Sequence, residues 1–207
     1  MDSKPRQVIS RHIIGFALRF AVVFGLLIAP WPGWNDWYAS CFRTLGNTAF
    51  ARNNPACLLY FTAARQTHDF AALDTQIVIG NRSLAGPDGR GPVTRQGLDS
   101  RSIGWIPTAL TLALILASPI SWKRRFLASL YGLILVHAFI LFSLAVLIWN
   151  ESTTVSLITL PPFWKTVADG LEYTLIVQLG ASFSVPVLIW ILVVFGRADT
   201  AAFRSKK

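Results

Sequence analysis

FLASLYGLILVHAFILFSLAVLIW, Phe126 to Trp149, carries no charged side chain and is bracketed by Lys123-Arg124-Arg125 before it and Asn150-Glu151 after it. At about 1.5 Å per helical residue it is longer than the roughly 30 Å hydrocarbon core of a bilayer, so the run predicts a transmembrane helix. Three further apolar runs read the same way: His12 to Ala29, Ile106 to Ile120 and Leu171 to Phe195. Ile106 to Ile120 is the shortest; Ile103, Gly104 and Trp105 extend it at one end, and Trp122 is an interfacial anchor at the other. Composition agrees, with 53% hydrophobic residues, only 14% charged and a mean hydropathy of +0.49, against about 25% charged in soluble domains.

The expected fold class is therefore a mainly α membrane protein: four transmembrane helices with a small extracytoplasmic α+β segment between the first and second. The divisions are a cytoplasmic N-terminus (1–11), spans at 12–32, 105–120, 126–149 and 171–196, an extracytoplasmic domain (33–104), a cytoplasmic turn (121–125), an extracytoplasmic loop (150–170) and a cytoplasmic tail (197–207).

Charge sets the orientation. The N-terminus (Lys4, Arg6, Arg11), the Lys123-Arg124-Arg125 turn and the C-terminal tail (Arg197, Arg204, Lys206, Lys207) are opposed only by Asp2 and Asp199, whereas basic and acidic residues balance in 33–104 and 150–170. Lys and Arg are retained on the cytoplasmic side, so both termini are expected inside a multi-pass protein of the inner (plasma) membrane. The net charge of +9 and pI near 10.3 are then accounted for by retention and by anionic headgroups, and nucleic acid is not an expected partner. Pro30-Trp31-Pro32-Gly33-Trp34 closes the first run as an aromatic interfacial ending and not as a small-x-small cleavage site.

Within 33–104, Trp34, Trp37, Tyr38, Cys41, Phe42 and Leu45 recur at i, i+3, i+4, i+7, i+8 and i+11, the stripe of an amphipathic helix, with Gly46 and Asn47 as its stop. Asn53-Asn54-Pro55 signals a turn; Ala56 to Ala63, His68 to Gly80 and Val93 to Leu98 read as strands, with turn chemistry between the last two at Gly86-Pro87-Asp88-Gly89. Cys41 and Cys57 both fall outside, where a disulfide persists; a bridge worth about 3 kcal/mol and two separate thiols are both open. No metal or cofactor is expected, since two Cys beside His68 lack ligand spacing and no glycine-rich loop opens a helix.

Polar groups inside the apolar runs are few. Arg19 lies near the basic end of its run and can snorkel, His137 is central in its run, Gln178 can bond between helices, and Pro186 frees a carbonyl one turn earlier. A thiol hydrolase or transpeptidase would have to join Cys41 to His68 or His137, and no local spacing links them. Transport or lipid handling lacks the internal repeat that often signals it. Asn81-Arg82-Ser83 and Asn150-Glu151-Ser152 match the short N-glycosylation pattern.

The order of elements, with Ile106-Pro107-Thr108-Ala109-Leu110 opening the second run and Ala117-Ser118-Pro119 closing it before Trp122-Lys123-Arg124-Arg125, resembles the small integral membrane proteins associated with exosortases. The resemblance implies a non-catalytic accessory or assembly partner in a bacterial envelope protein-sorting or exopolysaccharide system, in contact with membrane lipids and with another integral or envelope protein. The exosortase enzymes carry a Cys, Arg and His set near helix ends that has no counterpart here, so no catalytic residue is carried over.

Overall fold

The computed structural model describes the backbone of residues 4–64, 73–87, 91–177 and 180–195, and the side chains of 13–64, 73–87, 91–176 and 180–195. The chain divides into two compact units. The first comprises helix α1 (Lys4–Ile28), α3 (Ile106–Ala117), the opening half of α4 (Trp122–Thr154) and most of α6 (Gly180–Val194). The second holds α2 (Trp34–Phe50), strands β1 (Arg52–Asn53), β2 (Cys57–Ala63), β3 (Thr75–Asn81) and β4 (Val93–Leu98), the closing half of α4, and α5 (Pro162–Glu172).

In the first unit α3 is the core. Ala109, Ala113, Ile115 and Ala117 have no exposed surface, as expected of a helix that is apolar all round. Gly132 of α4 makes room for it: a Cβ there would lie 2.6 Å from Ile115 Cδ1. Ile115, Ala128 and Val194 are buried together, with Trp190 and Val193 packed on them. The outward faces of the surrounding helices are apolar as well: Ile14, Leu18, Val22 and Leu26 on α1, Leu127, Tyr131 and Ile134 on α4, and Leu188, Ile191 and Leu192 on α6 are all exposed.

Four spans are not what these helices make. Among the described residues only α4 is long and apolar enough to cross a membrane; counting Pro162–Ile176 and Gly180–Val194 together as one interrupted span gives at most two. The physical reasons differ by element. The apolar part of α1, Ile13–Ile28, and the helix Arg101–Ala117 each cover only about 25 Å; the former is preceded in α1 by Lys4, Arg6 and Arg11, and the latter is stopped by Ser118-Pro119. The run from Leu171 is not one helix, because a π-helical turn at Tyr173–Val177 separates α5 from α6. Apolar composition cannot distinguish a buried core helix from a span, and α3 is the buried case.

In the second unit the strands form an antiparallel meander in the order β1-β2-β3-β4, with Leu59 opposite Ile79 and Phe61 opposite Ile77. Side chains alternate along a strand, so these four share one face, and each is buried, worth about 1.5–3 kcal/mol apiece. α2 covers that face through Ala39, Phe42 and Gly46, the last so close that a Cβ would meet the Phe61 ring at 2.8 Å. The expected stripe is thus rotated, with Trp37 and Cys41 on the exposed side. α2 also runs past Gly46 and Asn47 to Phe50. Asn47 accepts from Phe61 N at 2.7 Å and donates to Phe61 O at 2.9 Å, sealing the β2 edge beyond the short β1. Asn54 Oδ1 takes the N–H groups of Ala56 (3.0 Å) and Cys57 (2.7 Å), which forms the turn into β2.

Candidate functional site

A cleft of about 540 Å³ opens in the second unit between α2 and the strand ends. Asn35, Asp36, Ala39 and Arg43 line it from one face of α2, spaced by three and four residues; Ala63, Ala64, Leu73 and Asp74 bring the end of β2 and the start of β3, and Asp99 and Arg101 complete the wall.

The charges are unequally committed. Asp74 accepts from Ser100 Oγ (2.6 Å) and Ser100 N (3.1 Å), and Asp99 accepts from Arg101 N at 2.9 Å and from the Ser102 hydroxyl, capping the π-helical turn Arg101–Trp105 that leads into α3. Arg43 is half-buried and donates one bond, from Nη1 to the backbone oxygen of Asp74 at 3.1 Å; it forms no ion pair among the described residues. Asp36, exposed in the first turn of α2, has no hydrogen-bond partner among them either. Among the described residues, the cleft therefore presents one guanidinium and one carboxylate that no opposite charge meets. Beside it, Trp34 stands against Trp37 and Trp105 with ring centroids 4.8 and 5.1 Å apart, and Tyr38 against Trp105 at 5.3 Å.

The residues singled out from the sequence do not converge on the cleft. Cys41 and Cys57 are separate thiols, exposed and half-buried. His137 bonds through Nδ1 to Leu133 O at 2.8 Å and belongs to the first unit, whereas both cysteines belong to the second. Arg19 is exposed on α1. Gln178 and His68 lie outside the described residues. No group of three His, Cys, Asp or Glu that could hold a metal occurs among the described residues. Of the two glycosylation patterns, Asn81 is spent: it is 3% exposed, donates to Val155 O and Ser156 O at 3.1 Å each and accepts from Ser83 N and Oγ. Asn150 accepts from Lys165 Nζ at 3.0 Å and donates to Glu172. Lys165 also reaches Asp169 at 2.6 Å and, by that bond above all, holds its carboxyl below the ordinary aspartate value.

Sequence reasoning missed Arg43 and Asp36, whose only signal is their i, i+7 spacing on α2. It also saw in Arg124 and Arg125 nothing but charge. Arg124 donates to Val194 O at 2.8 Å, and Arg125 to Ser118 O at 2.9 Å and Ile120 O at 3.4 Å, so the two guanidiniums occupy carbonyls that the ends of α6 and α3 leave open. Arg125 also lies 4.7 Å from the Trp122 ring centroid.

Comparison of the chain with protein-family models, with curated proteins and with solved structures finds no match in any of the three.

Proposed function

We propose that this protein is a non-catalytic membrane accessory that holds another envelope protein through its α+β unit, within a bacterial envelope protein-sorting or exopolysaccharide system. The observation that carries the reading is α4. Its opening half contributes to a unit whose outer helix faces are apolar and exposed, and its closing half ends among polar contacts with the sheet, Glu151 bonding Thr94 at 3.0 Å and Asn81 holding Val155 and Ser156. Apolar surface of that extent suits lipid and not water. α4 is the crossing in this reading: the basic Lys123–Arg125 start faces the cytoplasm of an inner membrane, and the α+β unit lies outside with α5 and its charged Lys165, Asp169 and Glu172. The segments Ile106–Leu110 and Ala117–Pro119 before the Trp-Lys-Arg-Arg turn support the sorting context.

Two measurements test this. The full chain should pellet with membranes and resist alkaline carbonate extraction, and a membrane-impermeant maleimide added to intact spheroplasts should label the exposed Cys41. Recovery in the soluble fraction, or labelling only after lysis, overturns the reading.

A further inference from the structure

We infer that the cleft beside α2 is a binding site for an extended peptide segment bearing a carboxylate, with Arg43 as the residue that receives it. This deepens the accessory reading, since it places the hold on a partner in one site. A half-buried guanidinium wants a counter-charge, because desolvation is costly unless the charge is paired. Three aspartates line the same cleft, yet two give their oxygens to Ser100, Ser102 and backbone N–H groups, and among the described residues Arg43 reaches a peptide oxygen and no carboxylate. Its remaining N–H donors can take a planar carboxylate in the fork geometry that suits Arg.

The occupant is a chain segment and not a lone anion because the free groups are spread out. Asp36 and Arg43 are two helical turns apart on α2, about 10 Å, the length of roughly three extended residues at about 3.3 Å each. Asp36 and Asn35 at one end supply acceptors and donors for peptide groups; Ala39 and Ala63 give a small-residue floor between. A bare phosphate or acetate would satisfy Arg43 and leave the groups at Asn35 and Asp36, two turns away, without a partner.

The test titrates the purified full chain in mild detergent micelles, by calorimetry, with three blocked pentapeptides of alanine: one with a central Asp, one with Asn there, and one uncharged but for a free C-terminal carboxylate. Binding of the Asp or the free-carboxylate peptide, with the Asn peptide at least about tenfold weaker, is the expected result, tenfold being the low end for a hydrogen bond to a charged group. Arg43→Gln should remove that preference and Arg43→Lys should restore it only in part, while Cys41→Ser, on the exposed side of α2, should bind as the parent does. Equal binding of all three peptides, no binding of any, or an unchanged preference in a folded Arg43→Gln protein overturns the inference. Because the titration is done in micelles, its failure leaves the fractionation result standing, and failed fractionation leaves the titration interpretable.

Discussion

The two units differ in how they tie together segments far apart in sequence. In the first, Thr111, Ser118 and His137 bond back to their own helix, at Pro107 O, Leu114 O and Leu133 O, each four residues earlier, and the long-range ties gather at the helix ends, Trp190 Nε1 donating to Ser118 Oγ at 2.8 Å and Arg124 to Val194 O. In the second, the contacts that matter join distant segments: Asn47 to Phe61, Asp74 to Ser100, Asn81 to Val155 and Ser156, Thr94 to Glu151. Back-bonding to the preceding turn satisfies a hydroxyl or imidazole with no partner elsewhere in the chain. Long-range amide and carboxylate contacts specify one arrangement of loops. The difference teaches that substitutions of the back-bonding hydroxyls should act locally, whereas those of the bridging amides and carboxylates should act across the whole second unit.

The largest break in that contrast is expected at Asn81. Asn81→Asp turns a donor facing two carbonyl oxygens into a buried carboxylate, and should destabilise the second unit by about 3 kcal/mol or more. Hydrogen exchange should show protection lost around Ser152–Leu157 and along β3, with the first unit unchanged. Gly46→Val comes next: its side chain would push into the buried Phe61 ring, costing about 2–3 kcal/mol by overpacking and seen as a lower Tm of the second unit. Gly132→Val in the first unit should cost less, about 1 kcal/mol, because the atom it meets most closely is the terminal methyl of Ile115. A Gly132 cost above the Gly46 cost would break the comparison.

How much of this the chain discloses before folding follows the same division. Local signals were readable: the long apolar helix from Phe126 to Trp149 lies within α4, the Asn54 turn precedes β2, and β4 occupies Val93–Leu98, the short run that follows the Gly91-Pro92 turn signal. What depends on contacts far apart in sequence was not. The burial of α3 is set by packing against α1 and α4, so an apolar run that reads as a span is a core helix. The buried face of α2 is chosen by Phe61, at which Gly46 and Asn47 aim, and a pattern of aromatic residues placed it one step round. The cleft is invisible because it depends on Ser100 and Ser102 engaging Asp74 and Asp99, which leaves Arg43 without a carboxylate among the described residues.

Arg124 and Arg125 offer a sharper, smaller test. If they act only as retained positive charge, Arg125→Lys should be silent. If they cap helices, Arg125→Lys and Arg124→Lys should each cost about 1 kcal/mol, since a compact ammonium on a different stem does not place a donor where Nη2 of Arg125 meets Ser118 O and Ile120 O and Nη2 of Arg124 meets Val194 O, nor lie over the Trp122 ring as Arg125 does. The readout is exchange at the ends of α3 and α6, with membrane fractionation unchanged. Unaltered exchange in both variants would return these residues to a purely topological role.

The smallest expected effect is the pH dependence of the Lys165–Asp169 pair. The Asp169 carboxyl is held below its usual value, first by its bond to Lys165. A carboxylate with a lowered folded-state value adds stability above the unfolded value, about 3.9, and loses it as pH falls through the folded one. Both side chains are about half exposed, at 44% and 52%, so solvent screening leaves little of this in the overall stability. Carboxyl NMR titration should therefore show Asp169 moving up in Lys165→Gln while the Tm at neutral pH stays within error. A clear Tm loss in that variant would show that Lys165 acts mainly through Asn150, to which it also donates at 3.0 Å, and that the end of α4 is fixed by long-range polar contacts on this side too.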